Sequence, residues 1–450
     1  EIVAWHLEQA CLLSREVARS PIDPPVREAA AALTDAGHRA ERRESLREAH
    51  RYYTRALDVL GEADADLRVS LRLHRAEMAM MLGLLREASD ELLEVKTSAA
   101  ELGRVEVEAE ALLVLGDIDQ RQGRPGDAHD RLTEANRLAT LAQDPRLQAR
   151  VAFVLNTFIG DYLGEEVDAV IERLRAAIAL AEEADDRGLV AEGHLRVAAL
   201  LMSHDLPHAE PELRRCMDVA KELGSHRIEA EAASWLGIVD YYRGRPAEAE
   251  ELCLQAHTWF ERTGDSYFQV QNIMCGLAVF DQQHGRIEEA ETRLREALPV
   301  ALQIGGWVLH KTYWHLVETL VAQGRVEDAR EIVAFAARSV PEEDPQSRSW
   351  LLLSEALVAT AAGDAATATA SFAEALRLFE ELNYKLDIAE GQFVLGRSLR
   401  TFGDVGGARA ALERASSMFA LIGADVRRDA VDAELAELVE GPAPTGPSPT

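Results

Sequence analysis

The hydrophobic and polar positions along this chain return with a period of about 40 residues. The turn Gly123-Arg124-Pro125-Gly126-Asp127-Ala128 recurs as Gly244-Arg245-Pro246-Ala247-Glu248-Ala249, as Gly285-Arg286-Ile287-Glu288-Glu289-Ala290 and as Gly324-Arg325-Val326-Glu327-Asp328-Ala329. Weaker copies begin at Gly363 and Gly403. With the closing alanine as a marker, the series is Ala49, Ala88, Ala128, Ala169, Ala209, Ala249, Ala290, Ala329, Ala368 and Ala408, at intervals of 39 to 41. Seven residues after each marker stand Ala56, Val95, Ala135, Ala176, Cys216, Ala256, Ala297, Ala336, Ala375 and Ala415, none of them large or charged. Twelve residues before it the column is again mostly small: Gly37, Ala76, Gly116, Thr157, Val197, Gly237, Ala278, Val317, Ala356 and Gly396. Three columns in one period mark ten copies of a repeat.

Each copy reads as a helical hairpin. A spacing of seven is two helical turns, so the two alanine columns share a face that another helix approaches closely. Four residues after the marker lies a larger plug, such as Tyr53, Leu92, Leu132, Leu213, Leu294, Phe372 or Leu412. The turn glycine suits the left-handed end of the first helix, and the arginine after it suits that helix's negative terminus. Pro125, Pro207 and Pro246 fit the first position of the second helix, with Asp127, Glu248 and Glu289 in its first turn. A hairpin of this kind has a stripe it cannot bury alone, so ten of them stack into an all-α solenoid. The turn at Leu163-Gly164-Glu165-Glu166-Val167 departs from the pattern and predicts a local change of pitch.

The boundaries follow. Residues 1–25 form an opening helix with a Pro-rich break at Ser20-Pro21-Ile22-Asp23-Pro24-Pro25, and residues 26–424 hold the repeats. Residues 425–440 form a capping helix, and residues 441–450 are a Pro-rich tail expected to be disordered.

The turn glycine, the small column and Ala-x6-Ala with a bulky residue between resemble the tetratricopeptide (TPR) repeat, with about six residues added to its usual 34. HEAT and armadillo repeats are nearer in length but lack this signature. Long units of this kind are similar to the C-terminal superhelix of bacterial STAND-class signalling ATPases, the adenylate-cyclase-linked and LuxR-type regulators. The opening Ile2-Val3-Ala4-Trp5-His6-Leu7-Glu8-Gln9-Ala10 resembles the helix that follows the ATPase module in those regulators. The resemblance implies a right-handed superhelix whose first helices line a concave groove. It also implies a non-catalytic sensor or regulatory region that binds a protein, a peptide or a small effector and contacts an upstream ATPase. The chain begins at Glu1 and not Met, which suits catalytic modules lying upstream, and no LuxR-type helix-turn-helix follows the repeats. The alternative is a free-standing TPR adaptor that gathers protein partners.

Composition narrows the partners. The chain has 48 basic and 78 acidic side chains, a net charge of -30, which disfavours nucleic acid and anionic membrane surfaces. No signal peptide and no run of about 18 apolar residues is visible, and the four cysteines have no metal-site spacing, so a cytoplasmic location is expected. No phosphate loop, dinucleotide fingerprint, zinc-protease or hydrolase motif appears, so no catalytic residue, cofactor or metal is expected. His204 and His208, with His194 nearby, fall around a turn broken by Pro207 and read as solvated histidines. Clusters such as Glu182-Glu183-Ala184-Asp185-Asp186 read as solvated helix ends.

If the first helices face inward, the groove positions lie 18, 15, 11 and 8 residues before each marker. They give Tyr241, then Asn272, Cys275 and Gln282, then Lys311, Trp314 and Glu318, and then Trp350. Tyr241, Asn272, Gln282, Lys311, Trp314 and Glu318 are therefore the candidate partner-binding residues, suited to holding an extended peptide or small ligand by stacking and hydrogen bonding. The competing assignment places the same aromatics in the core between repeats.

Overall fold

The computed structural model describes residues 2–16 and 25–440, which form helices and no strand. The expected break at 20–24 and the tail at 441–450 lie outside the described residues. A helix Ile2–Glu16 opens the chain. Unit 1 then pairs Val26–Arg42 with Leu46–Leu60, unit 2 Ala65–Met81 with Leu85–Leu102, and unit 3 Val105–Arg121 with Pro125–Ala142. Unit 4 pairs Pro145–Tyr162 with Val167–Glu183, unit 5 Arg187–Leu201 with Leu206–Leu223, and unit 6 His226–Tyr242 with Pro246–Thr263. In unit 7 the first helix is Ser266–Asn272, a π-helical segment Ile273–Leu277 and Ala278–Gln283, followed by Ile287–Ile304. Unit 8 pairs Gly306–Ala322 with Val326–Ala336, unit 9 Pro345–Ala361 with Ala365–Glu381, and unit 10 Lys385–Thr401 with Val405–Ile422. The helix Asp425–Glu440 follows. No helix among the described residues is long and apolar enough to cross a membrane.

The three small columns meet inside each hairpin. A Cβ on Gly37 would strike the Tyr53 ring, one on Gly116 would strike Leu132, one on Gly237 Cys253, and one on Gly396 Leu412. The small residue of the first helix is thus the socket for the plug four residues after the marker. The markers other than Ala169 are buried, as are the plugs Tyr53, Leu132, Leu213, Leu294, Phe372 and Leu412. Unit 4 corrects the sequence register. Ala169 is only half-buried and Ala176 is exposed, whereas Val170, Leu174 and Ala177 are buried. The irregular turn is one residue longer than that of unit 3, which moves every later position of its second helix on by one.

The turn glycines Gly123, Gly244, Gly285, Gly324, Gly363 and Gly403 all adopt positive φ, between 72° and 84°. The arginines after Gly123, Gly244 and Gly285 do something more specific than face a helix terminus. Arg124 Nε donates to Asp119 at 3.0 Å, Arg245 Nε to Asp240 at 2.9 Å, and Arg286 Nε to Asp281 at 2.7 Å. Those carboxylates are at most 3% exposed, so each needs its guanidinium to remain charged. Arg325 has no such acid behind it and pairs with Asp328 and Glu291 instead.

A solenoid is expected to touch only its sequence neighbours, and this one does not. The turn of one unit packs on the start of a unit, or of the last helix, four to six units further along. Glu44 accepts from Ser225 Oγ at 2.9 Å and from the Arg227 amide at 3.0 Å. Ser266 Oγ donates to the Leu82 carbonyl at 3.0 Å, and the Leu386 amide to the Ser203 carbonyl at 3.2 Å. Tyr384 Oη donates to the Asp161 carbonyl at 2.8 Å, and Arg427 reaches Gln283 at 3.2 Å. Apolar packing follows the same geometry. One continuous core joins units 2 and 3 to units 7 to 9, and another joins units 4 to 6 to unit 10 and the last helix. Successive turns of the superhelix are therefore in contact, and the concave side becomes an interior.

Candidate functional site

That interior holds a cavity of about 260 Å³, walled mainly by the first helices of units 3 to 10 and by Arg427 of the last helix. The stripe at 18, 15, 11 and 8 residues before the marker lies beside the small column and supplies much of the wall. Glu231, Ile238 and Tyr241 of unit 6, Lys311, Trp314 and Glu318 of unit 8, and Trp350 and Leu353 of unit 9 all follow it and line the cavity.

Of the six sequence-derived candidates, Tyr241, Gln282, Lys311, Trp314 and Glu318 face this one space. Asn272 does not. It is fully buried in the wall, accepting from Ser234 Oγ at 2.7 Å and donating to the Cys253 carbonyl at 3.0 Å. The π-helical segment that follows explains the correction. A π turn holds one residue more than an α turn, so everything before it is rotated out of the repeat register. Gln271, one residue earlier, takes the inward position. The 41-residue interval between Ala249 and Ala290 carries the same extra residue.

Four of the six tryptophans, Trp235, Trp307, Trp314 and Trp350, line the cavity, so the aromatic density there is a property of the site and not of the chain. Trp314 and Trp350 are also buried between units, with ring centroids 6.3 Å apart. Core packing and cavity lining are thus two sides of the same rings. Lys311 Nζ sits 4.5 Å from the centroid of Trp350 and 3.5 Å from Asp387 Oδ1, linking units 8, 9 and 10 across the cavity wall. Gln282 donates to Thr319 Oγ1 at 2.9 Å, and Glu318 meets His315 Nδ1 at 2.9 Å. Tyr241 stacks on Phe280 at 4.7 Å.

The charges inside are only partly matched. Arg121 pairs with Asp117 at 2.8 Å and Arg427 Nε donates to Glu390 at 2.8 Å. Asp161 has no ion-pair partner among the described residues, and its carboxylate accepts from Gln120 Nε2 at 3.4 Å. Asp161 is half-buried and lines the cavity. Burial pushes its carboxyl up to about 7, with Arg196 pulling the other way. Glu231 is likewise pushed up to about 7 by burial, against Arg196 and Arg227. Burial works against the Lys311 ammonium, yet Asp387 holds it above its ordinary range.

A pH prediction follows for Glu231, which is 5% exposed. Its folded value lies above the ordinary carboxylate range, so folding favours the protonated acid. The stability it contributes is present below about 4.3 and is lost as pH rises through about 7. Glu231→Gln, which mimics the protonated acid, is expected to raise the melting temperature at pH 8 and to leave it nearly unchanged at pH 4.5. A shift of equal size at both values contradicts the assignment.

The sequence stripe, applied to every unit, also yields Glu231 and Glu390. It could not yield Arg427, Tyr384 or Asp387, which reach the cavity because distant turns are in contact. The histidines around Pro207 do not converge: His204 Nδ1 contacts the Leu200 carbonyl, His208 contacts Asp205, and His194 contacts Glu212.

A family profile for the tetratricopeptide repeat matches residues 228–303, which span the first helix of unit 6 to the second helix of unit 7. No curated protein sequence matches the chain. The fold is similar to that of a Rap protein complexed with Competence and Sporulation Factor, with TM-score 0.51 and 17% identity over 92% of this chain and 100% of that one. It is also similar to a Rap conjugation gene regulator solved with the Phr* peptide, with TM-score 0.50 and 16% identity over 82% and 97% of the two chains. A STAND protein with a tetratricopeptide repeat sensor from Pyrococcus horikoshii aligns with TM-score 0.45 and 14% identity, over 82% of this chain and 55% of that one. The repeat profile and the likeness of fold agree on a TPR-like α-solenoid.

Proposed function

We propose that this superhelix is a non-catalytic binding module. Its interior takes a short peptide or small effector bearing a cationic group, and it serves as the sensor and regulatory region of a larger bacterial signalling ATPase. The observation that carries the reading is the cavity wall, where four tryptophans stand beside Asp161, an acid with no ion-pair partner among the described residues. Ring faces and an unneutralised carboxylate suit a ligand that combines apolar surface with a positive group. The two Rap-type folds were solved with Competence and Sporulation Factor and with the Phr* peptide, which agrees with a ligand-binding role.

Regulation in this scheme works through the contacts between turns. A ligand shifts an equilibrium only by its differential affinity for the two states. One held between units 8 and 10 favours the closed coil, and the surface offered to an upstream ATPase changes with it. The test is a titration of the chain with short peptides of graded charge, followed by tryptophan fluorescence. Cationic peptides are expected to saturate the signal, and Asp161→Asn to weaken them at least about tenfold, one unit of 1.4 kcal/mol, with no loss of melting temperature. Equal binding of anionic peptides overturns the ligand assignment. Unchanged ATPase activity after deletion of residues 26–424 from the parent overturns the sensor role. The adaptor reading is favoured instead if no phosphate-loop sequence lies upstream of Glu1.

A further inference from the structure

Units 1 and 2 carry the same tetrapeptide on their first helices, His38-Arg39-Ala40-Glu41 and His74-Arg75-Ala76-Glu77. The copies are 36 residues apart while the markers Ala49 and Ala88 are 39 apart, so the second lies nearly one helical turn earlier in its helix. That stagger brings side chains from the two copies together. One donor atom from each of His38, Glu41 and His74 lies within 4.8 Å of the other two. The imidazole centroids are 5.1 Å apart, edge to face. His74 Nδ1 is 3.9 Å from Glu41 Oε1 and 3.6 Å from Glu77 Oε2.

Acidic groups outnumber basic ones around this group, with Asp35 and Arg42 beside His38 and Glu41. Glu41, Glu77 and Glu110 face this region with Arg150, which pairs with Glu77 at 3.0 Å and with Glu110 at 2.9 Å. With neutral imidazoles, the four carboxylates Asp35, Glu41, Glu77 and Glu110 against Arg42 and Arg150 leave an excess of two negative charges, the complement of a divalent cation. Glu41 Oε1 is buried and makes no hydrogen bond of good geometry, the Tyr53 hydroxyl being the protein group turned toward that carboxyl, and a cation would satisfy the oxygen. Tyr53 stacks on His74 at 5.4 Å and fixes the plane of that ring. His38, Glu41 and His74 are themselves only half-buried, so an ion can reach them.

We propose that His38, Glu41 and His74 form a binding site for a zinc-class divalent metal that ties unit 1 to unit 2, with Glu77 in reach as a fourth donor. Two imidazole nitrogens and one carboxylate oxygen are the donor set of borderline divalent ions, and three protein ligands leave a position open. Bonds of about 2.0–2.1 Å place tetrahedral donors roughly 3.3 Å apart. Closing the gap from the observed spacing calls for side-chain rotation of the half-buried His38 and Glu41 toward the His74 ring that Tyr53 holds.

The experiment is calorimetric titration of the metal-free chain with Zn²⁺ alone, using native protein and His38→Asn and His74→Asn variants. One site is expected in the native chain, weakened at least about tenfold by either substitution and untouched by His208→Ala. The native melting temperature rises with Zn²⁺ and that of the variants does not. Binding of equal strength in the His38→Asn/His74→Asn double variant overturns the site, as does native binding no tighter than that double variant shows. If either variant fails to fold, Co²⁺ absorption of the native chain decides: intense tetrahedral d–d bands support the site, and an octahedral aquo-like spectrum overturns it.

Discussion

Replacing Gly306 with alanine is expected to cost about 2–5 kcal/mol and to loosen the superhelix. Gly306 has φ of 55°, and a Cβ there would collide with the Arg121 carbonyl oxygen and press on the Gly123 amide. Left-handed backbone costs an alanine about 1–2 kcal/mol, and overpacking against rigid backbone adds about 1–3 kcal/mol. The collision lies between unit 8 and unit 3, so the helices must separate where the two turns of the coil meet. Gly363 is the control, because it has φ of 78° and open space around the added methyl. Gly363→Ala should show the backbone part alone, about 1–2 kcal/mol. Denaturant midpoints measure both losses, and small-angle scattering should report a larger radius for Gly306→Ala only. Equal losses and equal radii would mean that contact between turns adds nothing.

The second large effect concerns Lys311, which the sequence offers as a ligand contact and the structure also makes a structural cation. Lys311→Met keeps the stem that covers Trp350 but strands Asp387, which is 9% exposed. Breaking a buried pair from one side costs about 3–5 kcal/mol, whereas replacing both partners by apolar groups is often neutral. Lys311→Met is therefore expected to be strongly destabilised, and Lys311→Met/Asp387→Leu to recover most of the loss. Burial already holds the Asp387 carboxyl above its ordinary range against Lys311. Without the ammonium it rises further, so the single variant loses stability as pH increases and is closest to native in acid. A double variant no more stable than the single one, at pH 5 and pH 8 alike, removes the case for coupling. This also bears on the cavity, since an alanine scan there mixes lost binding with lost fold, and Asp161→Asn separates the two more cleanly.

Much of the unit was legible in the residues. Gly116 with Leu132 and Gly396 with Leu412 are socket and plug at fixed spacing in one hairpin, and local spacing is what a sequence records. The Asp119 to Arg124 spacing recurs at Asp240 and Asp281, so the buried clamp was also readable, although a helix-terminus role for the arginine is the plainer reading. Two shifts of one residue were less accessible. The longer turn of unit 4 displaces Ala169, and the π segment of unit 7 displaces Asn272. Each alters rotation about a helix axis by one residue while barely changing the period.

The sequence by itself determined the hairpin, its number of copies and the inward stripe, because these depend on contacts within one unit or between neighbours. The tertiary structure alone decided that the coil closes on itself. Closure depends on a small rotation and rise per unit, summed over four to six units, and no local spacing encodes that sum. It sets Tyr384 against Asp161, Gly306 against Arg121 and Arg427 against Gln283, and so turns an open groove into a cavity. The charges that meet there come from residues as far apart as Asp117 and Arg427, which only the completed coil brings together.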